Sequence, residues 1–195
     1  MKEKILEMEE YANEHNVPII EKESIAFIMK FIKANNVKSV LEIGTAIGYS
    51  AIMMCLVNKD VLVTTIERDE QRYMEALKNI KKFGLENRIT LIFNDALNVE
   101  FDEKFDLVFI DAAKRKNKEF FLHFVKYLND DGYVITDNMN FHGYVKMDPE
   151  KIESKNIRDI SEKINEYIYF LENNMEYKTT IYQVGDGVAV TERRG

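Results

Sequence analysis

Acidic and amide side chains directly follow two apolar segments in the second half of the chain. Asp111 follows Phe105–Ile110, and Asp137 and Asn138 follow Tyr133–Thr136. Each apolar run is typical of a buried strand, and the carboxyl ends of neighbouring parallel strands meet at one edge of a sheet. Two carboxylates and an amide oxygen suit Mg²⁺ and leave coordination positions for water or substrate. Each acid alone caps a loop more often than it binds a metal, but the combined set predicts a Mg²⁺ site.

Lys114 follows Asp111 within one helical turn, so its ammonium group is expected beside the predicted metal. A nearby dication and partial burial would both lower the pKa of Lys114, which makes a neutral amine available as a general base. Lys114 and Asp111 are therefore the candidate catalytic residues. The competing interpretation of Lys114 is a solvated surface lysine.

A strand–turn–helix segment earlier in the chain is typical of a nucleotide-binding turn. The apolar run Ser39–Ile43 is followed by Gly44 and Gly48, whose missing Cβ atoms permit a sharp turn and close approach of a ligand. The helix beginning at Ser50 directs backbone N–H groups and the positive end of its dipole at the turn. The glycine spacing differs from the dinucleotide fingerprint, and no phosphate-binding Lys-Ser/Thr pair follows. An ordinary βα turn is the alternative.

Acids at the ends of the next two strands extend this nucleotide hypothesis. Glu67 follows Val61–Ile66 at about the distance expected of a ribose-binding acid, and its alternative role is to start a helix. Asp95 follows Ile89–Phe93 and is a candidate ligand of an adenine amino group, with Ala96 leaving space for the ring. An Asx-turn role for Asp95 is nearly as well supported.

Strand and helix patterns alternate through the middle of the chain, which predicts a parallel sheet with helices on both faces. The terminal strands Lys178–Val184 and Val188–Thr191 are predicted to form an antiparallel hairpin. The fold class is therefore α/β, a doubly wound, mostly parallel seven-stranded sheet with two N-terminal helices and a C-terminal hairpin. Besides the strands already given, the predicted helices are Lys2–Asn16, Lys22–Ala34, Ser50–Asn58, Asp69–Phe83, Lys116–Leu128 and Lys155–Asn173.

The chain length and composition favour one domain over residues 1–195, with residues 1–36 as a helical lid or edge layer. Of the 195 residues, 46% are hydrophobic and 31% are charged, as in soluble globular proteins. No segment has the pattern of a membrane span or a secretory signal, and the single Cys55 fits a core position, so a cytoplasmic location without a membrane partner is expected. The formal net charge of −7 opposes broad nucleic-acid binding but allows a local basic patch.

Three features together resemble the metal-dependent class I S-adenosylmethionine O-methyltransferases, which include the catechol and caffeoyl-coenzyme A methyltransferases. They are the Glu42-x-Gly-x-x-x-Gly turn, the strand-end Glu67, and the set of Asp111, Asp137 and Asn138. The resemblance covers nearly the whole chain. Within the family, the sequence looks most like the bacterial tRNA 5-hydroxyuridine methyltransferases. The segments that carry this match are 10–12, 17–19, 41–52, 66–70 and 109–114.

The resemblance implies a site for S-adenosylmethionine and Mg²⁺, with Lys114 as the base. The implied metal ligands are Asp111, Asp137 and Asn138. The implied cofactor-binding residues are Glu42, Gly44, Ala46, Gly48, Ser50, Glu67, Asp95, Ala96 and Asp111.

The resemblance further implies a homodimer that methylates the 5-hydroxyl of a wobble uridine in the anticodon stem-loop of tRNA, giving 5-methoxyuridine. A small-molecule phenol with catechol-like or caffeoyl-type vicinal hydroxyls is the alternative acceptor. The pair Arg115 and Lys116 departs from the relatives, and it serves either as a phosphate contact or as a solvated helix start. Arg158, with Lys151 and Lys155, is a second basic set with the same two interpretations.

Overall fold

The computed structural model describes residues 1–195, which form seven strands and six α-helices. The helices are α1 Lys2–Glu14, α2 Lys22–Ala34, α3 Tyr49–Cys55, α4 Glu70–Phe83, α5 Asn117–Phe124 and α6 Lys155–Glu172. The strands are β1 Ser39–Ile43, β2 Leu62–Glu67, β3 Ile89–Phe93, β4 Phe105–Ile110, β5 Leu128–Thr136, β6 Tyr177–Tyr182 and β7 Val188–Arg193.

All seven strands belong to one sheet with the order β3-β2-β1-β4-β5-β7-β6. Strands β1 to β5 are parallel, and β7 pairs antiparallel with both β5 and β6. This arrangement confirms the predicted fold class. The strand order reverses between β1 and β4, where Ile43 pairs with Ile110. Ligands of such sheets bind beyond the carboxyl ends of the strands at this reversal.

Helices cover both faces of the sheet because successive side chains of a strand point to opposite sides. In β4, Leu107 and Phe109 belong to a core cluster that includes residues of α1 to α3. Val108 and Ile110 belong to a second cluster that includes residues of α5 and α6. The central strands are apolar on both faces, as expected of a buried parallel sheet.

The region before the end of β5 differs from the prediction. A turn was expected at 130–132, but β5 already begins at Leu128 and continues through these residues. Its register against β4 is irregular between Phe105 and Leu107, so the two acids of this segment lie at an irregular, exposed part of the strand. The helix predicted to reach Leu128 ends at Phe124 and is followed by a short 3-10 turn.

Helix α1 contacts α4, and Cys55 is part of the core. The exposed α1 is tied to α4, where Lys4 Nζ donates to the carbonyl oxygen of Lys82 over 2.7 Å. Cys55 is buried, and burial raises the pKa of its thiol to about 12, so its interpretation as a core residue is confirmed. No helix is both long enough and apolar enough to cross a membrane.

Candidate active site

A cleft of about 410 Å³ opens at the carboxyl ends of the parallel strands. Its lining comes from the segments that follow β1, β2, β3, β4 and β5, together with residues 18–21 between α1 and α2. The cleft thus lies where the topology predicts a ligand site. Of the residues predicted to bind cofactor or metal or to act in catalysis, those lining the cleft are Gly44, Ala46, Ser50, Glu67, Asp95, Ala96, Asp111, Lys114 and Asn138.

The turn after β1 passes directly over the end of β4. Gly44 has a φ of +100°, and a Cβ atom added there would lie 2.2 Å from the backbone oxygen of Asp111. The same crossing is tied by a hydrogen bond from the N–H of Asp111 to the carbonyl oxygen of Ile43 over 3.0 Å. Glycine is therefore required at this position both by backbone conformation and by space.

Glu67 is held at the floor of the cleft by backbone N–H groups. Its Oε2 accepts from Ala46 over 2.8 Å, and its Oε1 accepts from Arg68 and Asp69 over 2.9 Å. The residue is 6% exposed and lines the cleft. Three donors fix the carboxylate in one orientation, and its remaining lone pairs are available to ligand hydroxyls.

Asp95 combines a local structural role with a position in the cleft. Its Oδ1 accepts from the N–H of Leu97 over 3.1 Å, which caps the short turn Ala96–Asn98, and Oδ2 lies 3.5 Å from Arg68 Nη1. The Asx-type role is therefore present in the structure. A contact between Asp95 and an adenine ring stays a prediction.

Glu42 lies beneath the turn and does not line the cleft. Its carboxyl group is fully buried and accepts hydrogen bonds from the hydroxyl groups of Ser50 and Thr65, the second over 2.5 Å. Burial raises the pKa of Glu42 to about 8. Gly48 also lies outside the lining, with a φ of +85° at the start of α3. Both residues shape the turn, and their direct contact with a cofactor stays a prediction.

The three predicted metal ligands come together at the ends of β4 and β5, where Ile110 pairs with Thr136. Asp137 is 2% exposed, and neither of its carboxylate oxygens has a hydrogen-bond partner of normal geometry. Burial, and then the nearby charge of Asp111, raise the pKa of Asp137 to about 7. Burial also raises the pKa of Asp111, against the opposing charge of Lys114.

The buried Asp137 and the half-buried Asp111, whose negative charges repel each other, form a pair that suits a cation. Neither oxygen of Asp137 has a hydrogen bond of normal geometry, and the repulsion from Asp111 would be relieved by a bound dication. Asn138, which lines the cleft, supplies a third hard oxygen. The donor set therefore suits Mg²⁺.

The basic residues that were considered as phosphate contacts differ in where they lie. Arg115 Nη2 donates to Asn156 Oδ1 over 2.8 Å and lies 3.8 Å from Asp159 Oδ2 of α6. The side chain is 44% exposed and does not line the cleft, so its position fits the solvated interpretation, with its guanidinium group bound to α6. Arg158 Nη2 donates to the carbonyl oxygen of Ile152 over 2.7 Å. Lys116, in contrast, lines the cleft, so the interpretation of a phosphate contact stays open for Lys116 alone.

Sequence reasoning missed His142 and Asp186. His142 lines the cleft, and its backbone N–H donates to Asp186 Oδ1 over 2.5 Å. Asp186 lies in the hairpin turn before β7 and is 4% exposed. The available signal was an acid between two glycines, but the sequence shows neither that this acid is buried nor what the turn contacts.

Comparison with known proteins agrees with the fold and the site. The model of the O-methyltransferase family matches residues 2–194. The caffeoyl-CoA O-methyltransferase of Populus kitakamiensis is 27% identical over 175 residues, which is 86% of this chain and 74% of that enzyme.

Solved structures share the same architecture. A provisionally assigned caffeoyl-CoA O-methyltransferase from Staphylococcus aureus is 37% identical, with a TM-score of 0.91 over 97% of this chain and 92% of the other. The S-adenosylhomocysteine-bound methyltransferase PaMTH1 of Podospora anserina is 20% identical, with a TM-score of 0.86 over 98% of this chain and 88% of the other, which is a likeness of fold.

The sheet order, the glycine turn and the strand-end acids define a class I methyltransferase fold. The chain belongs to the O-methyltransferase family. It is an S-adenosylmethionine-dependent O-methyltransferase.

Proposed function

We propose that this enzyme methylates a hydroxyl oxygen that lies beside a second oxygen, with Mg²⁺ bound by Asp111, Asp137 and Asn138. The observation that carries the proposal is that Asp137, whose carboxylate has no hydrogen bond of normal geometry, is buried next to Asp111, and Asp111 lines the cleft together with Glu67. When bound, Mg²⁺ would supply Lewis-acid stabilisation to an adjacent pair of acceptor oxygens.

Some side chains of the cleft would bind the methyl donor, S-adenosylmethionine, and others would act on the acceptor hydroxyl. Glu67 would hold the ribose hydroxyls of S-adenosylmethionine, while Gly44, which lines the same cleft, would border its methionine end. Lys114, in its neutral amine form, would accept the proton of the acceptor hydroxyl and become an ammonium group. The acceptor oxygen then attacks the methyl carbon, the carbon–sulfur bond breaks, and sulfur keeps the electron pair in S-adenosylhomocysteine. Orientation of the two substrates and the electrostatics of the cleft would supply most of the rate enhancement.

We infer that the acceptor is a small phenol with vicinal hydroxyls. The curated relatives support this choice, since the Populus kitakamiensis protein is a caffeoyl-CoA O-methyltransferase and a Vitis vinifera relative is a flavonoid 3',5'-methyltransferase. The cleft offers apolar contacts for a planar ring through Pro18, Ile19 and Ile20.

A second candidate acceptor is 5-hydroxyuridine at the wobble position of tRNA, whose 5-hydroxyl lies beside O4. The observation that favours it is the cationic part of the cleft lining. Arg72 and Lys116 line the cleft, and neither forms an ion pair with an acid of the chain. Unpaired cations at a cleft edge suit the phosphates of an anticodon stem-loop.

A paired substrate assay tests the proposal. Purified enzyme, S-adenosylmethionine and Mg²⁺ are incubated with a catechol or caffeoyl-CoA, and in parallel with tRNA carrying 5-hydroxyuridine. Methylation of the phenol supports the small-molecule acceptor. Methylation of the tRNA alone would contradict that acceptor and support 5-hydroxyuridine in tRNA. Full activity in excess chelator would contradict the metal role, whichever acceptor is used.

A further inference from the structure

The loop that follows β5 carries Asn138 and has an unusual backbone. Asn138, Phe141 and His142 have φ values of +62°, +45° and +54°. Residues other than glycine adopt this left-handed region at a cost, so surrounding contacts must hold them there.

The contacts come from the C-terminal hairpin turn, residues 185–187. The N–H of Met139 donates to the carbonyl oxygen of Gly187 over 2.9 Å, and the N–H of Asn140 donates to that of Asp186 over 2.7 Å. The turn fits closely, because a Cβ atom at Gly185 would lie 2.3 Å from Ser24 Oγ. The hairpin turn is therefore packed between α2 and the loop after β5.

The buried carboxylate of Asp186 uses both of its oxygens on this loop. Oδ1 accepts from the backbone N–H of His142 over 2.5 Å, and Oδ2 lies 3.4 Å from Asn138 Nδ2. The side chain of Asp186 is 3% exposed, so water does not compete effectively for these contacts.

The contact between Asp186 Oδ2 and Asn138 Nδ2 determines which way the Asn138 amide points. An ionised carboxylate only accepts hydrogen bonds, so the NH₂ group of Asn138 must face Asp186. The carbonyl oxygen of Asn138 is then turned away from Asp186, as a metal ligand requires. We propose that Asp186 is a positioning residue that presents the Asn138 oxygen to the metal and holds His142 at the cleft; this rests on the proposed metal role of Asn138.

Asp186→Asn tests the assignment, because an amide offers one accepting oxygen where two are used. Outer-shell partners of metal ligands typically contribute about 10- to 100-fold to metal affinity, so Mn²⁺ affinity, followed by the electron paramagnetic resonance of the free ion, should fall by about that factor. Affinity for S-adenosylhomocysteine, which needs neither Asn138 nor His142, should stay within about threefold of wild type.

The exchanged pair Asn138→Asp with Asp186→Asn is the rescue variant. A carboxylate at position 138 presents an oxygen whichever way it turns, and the amide at 186 can donate to the other oxygen. Mn²⁺ affinity should return towards the wild-type value. The matched control is Asp106→Asn. The carboxylate of Asp106, like that of Asp186, accepts from backbone N–H and a side-chain amide, here two N–H groups and one amide, but it lies at the opposite end of β4.

A second readout does not depend on metal. The side-chain amide resonances of Asn138, assigned by their loss in Asn138→Asp, should shift in metal-free Asp186→Asn and stay unchanged in Asp106→Asn. Unchanged resonances, an unchanged Mn²⁺ affinity, or an equal loss of S-adenosylhomocysteine affinity would each overturn the assignment. If the wild-type protein binds no Mn²⁺, the proposed metal role fails, and the resonances still decide the Asp186 contact.

Discussion

Ala46 and Glu67, which both line the cleft, are joined by a hydrogen bond of 2.8 Å from the backbone N–H of Ala46 to Oε2 of Glu67. The bond ties the glycine turn after β1 to the end of β2. The residue predicted to bind ribose is thus also the residue that shapes the turn.

Glu67→Gln should weaken S-adenosylmethionine binding by about 10- to 100-fold, because the amide loses one of the accepting oxygens and the charge that strengthens its hydrogen bonds. Isothermal titration calorimetry measures the change. Glu86→Gln, at an exposed acid away from the cleft, is the control and should bind like wild type. Unchanged affinity in the Glu67 variant would remove the ribose role.

Gly44→Ala should prevent correct packing of the turn, since the added Cβ would meet the Asp111 backbone oxygen. The matched variant is Gly84→Ala, which has a φ of +68° but no atom within 4 Å of the added Cβ. Backbone strain alone costs about 1 kcal/mol, so Gly84→Ala should lose about that much stability and Gly44→Ala several times more. Urea denaturation compares the two, and equal losses would contradict the clash.

Asp137→Ala should abolish methyl transfer while S-adenosylmethionine still binds, because it removes a metal ligand and leaves the donor side of the cleft intact. The variant is also relieved of a buried, unpartnered carboxylate, so its metal-free stability should not fall as a normal core truncation does. Activity assays and calorimetry are measured on one preparation. Retained turnover would reject the metal site.

Lys114→Met should lower kcat by about 10²- to 10⁴-fold if Lys114 accepts the acceptor proton. Binding of S-adenosylhomocysteine and of Mn²⁺ should be maintained, since neither requires the ammonium group. Lys59→Met, at an exposed lysine outside the cleft, provides the control. A kcat within threefold of wild type would show that solvent takes the proton.

The stability of the ligand-free enzyme should fall as pH rises from about 4.5 towards 8 because Glu42 has a raised pKa of about 8 in the folded state. Over this window the folded chain holds a proton that the unfolded chain releases, so the contribution to the unfolding free energy falls by at most about 1.4 kcal/mol per pH unit. Glu42→Gln should remove this part of the slope in denaturation measured at several pH values. Parallel slopes in the two proteins would contradict the buried acid.

The fold was largely predictable because β1 to β5 are short apolar runs separated by helical patterns, and their order along the chain restricts the topology. The convergence of Asp111 and Asp137 followed from the same rule. The start of β5 was not predictable, since the acidic segment 130–132 has turn composition, yet pairing with β4 and β7 keeps the strand continuous.

Long-range contacts account for the other differences. Arg115 is exposed, as one of its two interpretations expected, but its contacts with Asn156 and Asp159, some forty positions away, were not predicted. Asp186 escaped notice for the same reason, because its partners Asn138 and His142 precede it by more than forty positions. The hydrophobic pattern of a single segment cannot predict contacts between residues so far apart in the chain.

The close crossing of Gly44 over Asp111 restricts which parts of the cleft can vary with the acceptor. The glycine turn after β1 and Asp111, a proposed metal ligand, are joined by a main-chain hydrogen bond between β1 and β4, so the sheet and not a loop determines the distance between them. Residues 18–21 and His142 border the same cleft from outside the sheet. Exchange of these segments between family members would therefore alter which molecule is methylated while the alignment of methyl group and oxygen is kept.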